Sequence, residues 1–199
     1  MKKNNLVLFL ISLFIIIAIV VVVYNYNYSP NKPFAYKNTV FYPNSDGFFY
    51  VYYNLTNITQ QIEFRLDPRQ MDNIALYTNP RGKTENASEI YLTYNPNLNI
   101  SYGKLMVALI EVARLIPYTT TKSISTQEAL TEYSEEIGDR LPFKTCADAT
   151  NETVVIVFDP VSDSNKITEE GDCIKIEATN EDNIILAADR FGYGLIGIM

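Results

Sequence analysis

Residues 90–116 read IYLTYNPNLNISYGKLMVALIEVARLI. Ile90–Tyr94 is aromatic and aliphatic and is closed by Asn95-Pro96, so it predicts a strand. Leu105–Ile116 is apolar nearly all round, and its twelve residues are too few to span a bilayer. That pattern predicts a helix buried in a core, ended by Pro117. The C-terminus repeats the unit. Ile174–Ala178 is strand-like, and Asn180 can cap a helix whose first turn carries Glu181 and Asp182. Ile184, Ala188, Phe191 and Leu195 form that helix's apolar stripe. Gly192, Gly194 and Gly197 are poor helix formers whose use is close approach to a neighbouring element. Val154–Phe158 supplies a further strand.

Upstream, Thr39–Pro43, Phe48–Tyr53 and Gln61–Leu66 read as a β-meander, with a turn at Asn44-Ser45-Asp46-Gly47 and another at Asn54–Asn57. Strand-like runs end in Asx-Pro at Asp67-Pro68, Asn79-Pro80, Asn95-Pro96 and Asp159-Pro160. An Asx side chain folds back onto nearby backbone N–H groups, so these pairs read as strand punctuation. Ser125-Thr126-Gln127-Glu128 matches a capping box and predicts a helix to about Ile137 with Gly138 as its cap. Ala129, Leu130, Tyr133 and Ile137 would form its inner stripe. The expected fold is α+β (or α/β): a β-meander, then strand–helix units with helices packed on a mixed sheet.

Leu6–Val23, LVLFLISLFIIIAIVVVV, contains no charge and a single hydroxyl, Ser12. Eighteen residues of helix reach ~27 Å, close to the hydrocarbon thickness of a bilayer. The run predicts an N-terminal transmembrane helix over 1–24 that contacts lipid through residues 6–23. A linker over 25–37 and an extracytoplasmic domain over 38–199 follow. A cleaved signal peptide is the alternative, but Tyr24–Tyr28 offers no small-residue cleavage site. Lys2 and Lys3 favour a cytoplasmic N-terminus.

Cys146 and Cys173 are the two cysteines, and on the outer side of a membrane they predict a disulfide. Two free thiols facing a metal or redox partner are the alternative. Asn-x-Ser/Thr occurs at Asn27, Asn54, Asn57, Asn86, Asn99 and Asn151, which makes those beyond the helix glycosylation candidates.

The net charge of −7 argues against nucleic acid as a partner. With no histidine in 199 residues, imidazole-based nucleophile pairs and His-ligated metals are excluded. No cofactor motif appears in a fitting context: Gly192-x-Gly194-x-x-Gly197 sits at the end of a helix pattern, not between a strand and a helix. Neither a cofactor nor a metal is therefore expected. Carboxylate chemistry needs no histidine, and Glu63, Asp67 and Asp159 are the candidates for it.

The strings Glu63–Arg69 (EFRLDPR) and Ala187–Tyr193 (AADRFGY), with the two cysteines, resemble an uncharacterised group of archaeal single-pass, surface-exposed membrane proteins. That resemblance implies a location and no activity. The leading reading is a membrane-anchored cell-surface module that binds an envelope protein or glycan and exposes a patch of Tyr or Phe. The alternative is a glycosidase-like envelope hydrolase with two carboxylates in one cleft.

Overall fold

A computed structural model describes residues 3–27, 32–55, 58–137 and 140–199; in the first helix, side chains are described over 10–24. The chain runs α1 (Lys3–Asn27), β1 (Phe34–Tyr36), β2 (Thr39–Pro43), β3 (Phe49–Leu55), β4 (Ile58–Phe64), β5 (Ala75–Leu76) and α2 (Pro80–Thr84). It continues with β6 (Glu89–Tyr94), α3 (Tyr102–Leu115), β7 (Ser125–Leu130), β8 (Thr153–Asp159), β9 (Lys166–Glu170), β10 (Cys173–Glu177) and α4 (Asn183–Leu195).

Two sheets pack against α3 and α4. β1-β2-β3-β4 is an antiparallel meander. The second sheet has the order β5-β9-β10-β8-β6-β7 and is parallel except at β9–β10. The fold is therefore mixed α+β. Strand alternation divides the second sheet's residues. Ile90, Leu92, Tyr94, Val154, Ile156, Phe158, Ile174 and Ile176 face α3 and α4 and join the main core. Tyr91, Ala129, Val155 and Cys173 face the other way, into a small second cluster with Cys146 and Ala149. The meander's inner face, Phe41, Val51, Ile62 and Phe64, belongs to the main core. α4 is the central layer. Its Tyr193 ring stacks on Phe64 at 3.9 Å and meets Phe41 edge-on at 5.7 Å.

The four Asx-Pro junctions behave alike. Asp67, Asn79, Asn95 and Asp159 accept backbone N–H bonds from Arg69, Gly82, Asn97 and Val161 at 2.8–3.1 Å. Asn180 likewise accepts from Asp182 and Asn183 at the start of α4. α4 closes on Gly197 at φ +74°, with Gly197 N–H donating to Gly194 and Ile198 N–H to Tyr193, a Schellman ending. Cys146 and Cys173 form a disulfide with Cα atoms 5.1 Å apart, which ties the segment before β8 to the start of β10. In the chain-entropy picture a loop of this length is worth ~3–4 kcal/mol.

Two expectations need correction. Residues 125–130 are a strand, not a helix. They pair in parallel with β6 from Glu89↔Ser125 to Tyr94↔Leu130. Ala129 joins the second cluster and Leu130 the main core, so consecutive side chains point to opposite faces. A capping box offers two local bonds; this register offers a six-residue ladder and two cores. Gly138, the expected cap, lies outside the described residues, and Tyr133 of the expected inner stripe is exposed. Secondly, β1 lies inside the stretch read as linker and pairs with β2.

α1 has 25 residues, and its described side chains from Leu10 to Tyr24 are all exposed. Among the described residues no helix is long and apolar enough to cross a membrane. The expected span over 6–23 extends beyond the side chains that are described.

Gly192 has no room for a side chain: a Cβ there would collide with Leu115, which is fully buried, and meet Phe64 at 3.4 Å. Gly103, in the first turn of α3, meets nothing closer than 4.0 Å. Gly192→Val is expected to cost about 1–3 kcal/mol in urea denaturation by overpacking. Gly103→Ala should be neutral or stabilise by up to ~1 kcal/mol through helix propensity.

Candidate functional sites

The strings Glu63–Arg69 and Ala187–Tyr193 form the two sides of one joint. Leu66 N–H donates to Asp189 Oδ2 at 2.9 Å, and Tyr193 O–H donates to the Leu66 carbonyl at 2.7 Å. Asp189 and Tyr193 stand one turn apart on α4, so both polar groups of a single residue are held by one helix face. Beside it, Arg65 pairs with Glu111 of α3 at 2.8 Å, and Arg114 holds the second Glu111 oxygen.

Asp189 is fully buried, and its Oδ1 has no partner among the described residues. Burial, and then the negative charge of Glu111, push its carboxyl up to about 7, against the Leu66 N–H, Arg114 and Arg65, which pull it down. Neither Glu111 nor Asp189 was a candidate from the sequence. The signal available there was an isolated carboxylate inside an otherwise apolar helix stripe.

The carboxylate candidates are not brought into one cleft by any hydrogen bond or ion pair among the described residues. Asp67 is bound to Arg69, whose bonds outweigh the effect of burial and hold its carboxyl below the usual range. Asp159 lines a hollow with Asn95, Leu98, Thr131, Val157, Phe158 and Val161, none of them a carboxylate. Glu63 lies opposite Tyr50 in the meander. An acid–base pair of the glycosidase kind needs two carboxylates about 5–9 Å apart across one cleft, and the hollow beside Asp159 is lined by no second one.

Two surfaces are open. The meander's outer face carries Val40, Tyr42, Tyr50 and Tyr52. Tyr42 stacks on Tyr50 at 5.3 Å, and Tyr52 meets both edge-on at 5.4 and 6.0 Å. Asn54, Thr59, Gln61 and Glu63 share that face by register. The second surface is the free edge of the mixed sheet. Ser125 and Thr131 N–H groups bond toward β6, while Leu130 bonds outward to Pro142 and Lys144. By alternation, the Thr126 and Glu128 backbones also face outward. Beside them a groove of about 340 Å³ runs along Met106, Leu109, Ile110 and Ala113 of α3.

Asn54, Asn86, Asn99 and Asn151 are exposed, and Asn54 accepts a 2.6 Å bond from Thr59. Asn86 and Asn151, far apart in sequence, line one polar hollow. Asn57 lies outside the described residues, as does the Asn27 side chain. No metal-binding group of His, Cys, Asp or Glu occurs among the described residues. No protein-family model, curated protein or solved structure matches the chain.

Because the Asp189 carboxyl is raised from 3.8 to about 7 in the fold, the folded state binds the extra proton. Its contribution to stability is present below 3.8 and is lost as pH rises to about 7. Asp189→Asn keeps an acceptor for Leu66 N–H and puts a permanent donor on the partnerless side. Urea midpoints should show the variant more stable than wild type at pH 8, with the gap closing toward pH 4. A gap independent of pH would refute this assignment.

Proposed function

We propose that the protein is a single-pass, membrane-anchored cell-surface module, with its N-terminus cytoplasmic and residues 38–199 outside, which binds an envelope partner. The observation that carries the reading is α1: its described side chains from Leu10 to Tyr24 are exposed, and all but Ser12 are apolar or aromatic. In the sequence the uncharged run Leu6–Val23 would be ~27 Å long as helix, close to a hydrocarbon core of ~30 Å. A stripe of this kind in water would present apolar surface in every direction, whereas lipid satisfies it all round. The Cys146–Cys173 disulfide supports an oxidising location for the domain. The exposed sequons at Asn86, Asn99 and Asn151 suit a glycoprotein, and the resemblance to the archaeal surface group points the same way.

For binding, the open edge of β7 beside the α3 groove suits an extended partner segment. Its backbone would bond to Thr126 and Glu128, and an apolar side chain would cover Ile110, which is 63% exposed. The hydrolase alternative has no observation in its favour.

Cell fractionation tests the reading. The full-length chain should stay in the membrane pellet through alkaline carbonate, and its thiols should react with a maleimide only after reduction. Release into the supernatant, or free labelling of Cys146 and Cys173 in the native protein, would overturn it.

A further inference from the structure

The tyrosine face of the meander has an occupant that its tether selects. α1 ends at Asn27 and β1 begins at Phe34, so residues 28–33 connect them. Six residues fully extended reach no more than ~20–22 Å. With α1 in the bilayer, the meander cannot leave the neighbourhood of the headgroups, while the partner edge at β7 carries no such constraint. On the outer face, Val40 is 46% and Tyr52 56% exposed, and Tyr42 and Tyr50 continue the patch. By register Ala35, Asn54, Thr59, Gln61 and one carboxylate, Glu63, share the face; among the described residues its strands place no lysine or arginine there, the nearest being Lys37 in the β1–β2 turn.

Apolar rings with hydroxyl tips, among polar groups of which one, Glu63, is charged, match the boundary between headgroups and acyl chains. A contact too weak to recruit a free domain suffices for a tethered one, because the tether fixes a high effective concentration. We infer that the Val40, Tyr42, Tyr50 and Tyr52 face rests on the lipid surface and sets the orientation of the domain. This rests on the reading of α1 as an anchor. It has a covalent consequence: a glycan on Asn54, which shares the face, and lipid contact exclude one another.

The chain contains no tryptophan, so Tyr52→Trp installs a single reporter. The full-length variant would be reconstituted in phosphatidylcholine vesicles in which part of the lipid is brominated high on the acyl chains. Flotation of the protein with the vesicles tests the anchor by itself. Among floating protein, the Trp emission of Tyr52→Trp, and of Val40→Trp as a second reporter on the same face, should be largely lost. Tyr77→Trp, 68% exposed and outside the meander, should keep its emission. Failure to float sinks the anchor reading. Flotation without quenching at either reporter, equal quenching at residue 77, a change of emission only on adding soluble polysaccharide, or a glycan found on Asn54 of the native protein each overturns the lipid contact while leaving the anchor intact.

Discussion

The backbone N–H and C=O of one residue, Leu66, tie the meander to α4. Its N–H and C=O leave the meander just as β4 ends, where no neighbouring strand remains to accept them. Buried backbone groups of this kind cost about 1–3 kcal/mol each when left unpaired. α4 supplies both partners from one face, Asp189 to the N–H and Tyr193 to the carbonyl. The same turn carries Gly192, whose missing side chain lets Leu115 and Phe64 close in. Satisfying Leu66 and packing Phe64 on Tyr193 are therefore one requirement: neither survives a shift of α4 along its axis.

The charged neighbours extend that requirement to α3. Glu111 is buried and takes both Arg65, from the residue before the clamp, and Arg114, from its own helix. Only the Glu111 carboxylate is buried, while both arginines are partly open to water, so losing the arginines would strand a buried charge, whereas losing Glu111 would leave cations that water can still reach. The network thus penalises wrong packings more than it deepens the right one. An apolar α3–α4–meander interface could slide; this one has a carboxylate on each helix that must find its partners. Asp189 belongs to the same cluster, because burial and then the negative charge of Glu111 disfavour its ionised form.

Much of this architecture is visible in the sequence wherever one local rule acts alone. The Asx-Pro junctions, the Asn180 cap, the glycines of α4, the strand–helix units and the disulfide partners all follow from residue chemistry within a short window or from the pairing of two unique cysteines. β7 is not visible, because Ser125–Glu128 satisfies a helix-start rule as well as a strand rule, and only the β6 edge decides between them. β1, β5 and β9 are short or polar and owe their existence to neighbours. The joint itself is legible only in fragments: EFRLDPR and AADRFGY stand out as strings, but nothing in either says that they touch. Among the candidates, Asp67 and Asp159 stand out as carboxylates at strand ends, yet both bond to the backbone just beyond, as Asx-Pro punctuation does.

The joint also determines what the meander can present. Because Phe41, Val51, Ile62 and Phe64 are spent on the core, strand alternation sends Tyr42, Tyr50 and Tyr52 outward, and their rings must either meet water or a surface. A soluble domain would more commonly place charged side chains at such positions, as the solvent-facing ends of β9 do with Glu169 and Glu170. Three tyrosines packed on one another within 6.0 Å make that face a continuous aromatic surface. Rigid clamping of Leu66 makes that face a fixed plane relative to α4 rather than a mobile flap. A fixed plane can orient the rest of the domain when it rests on something; a flap could not.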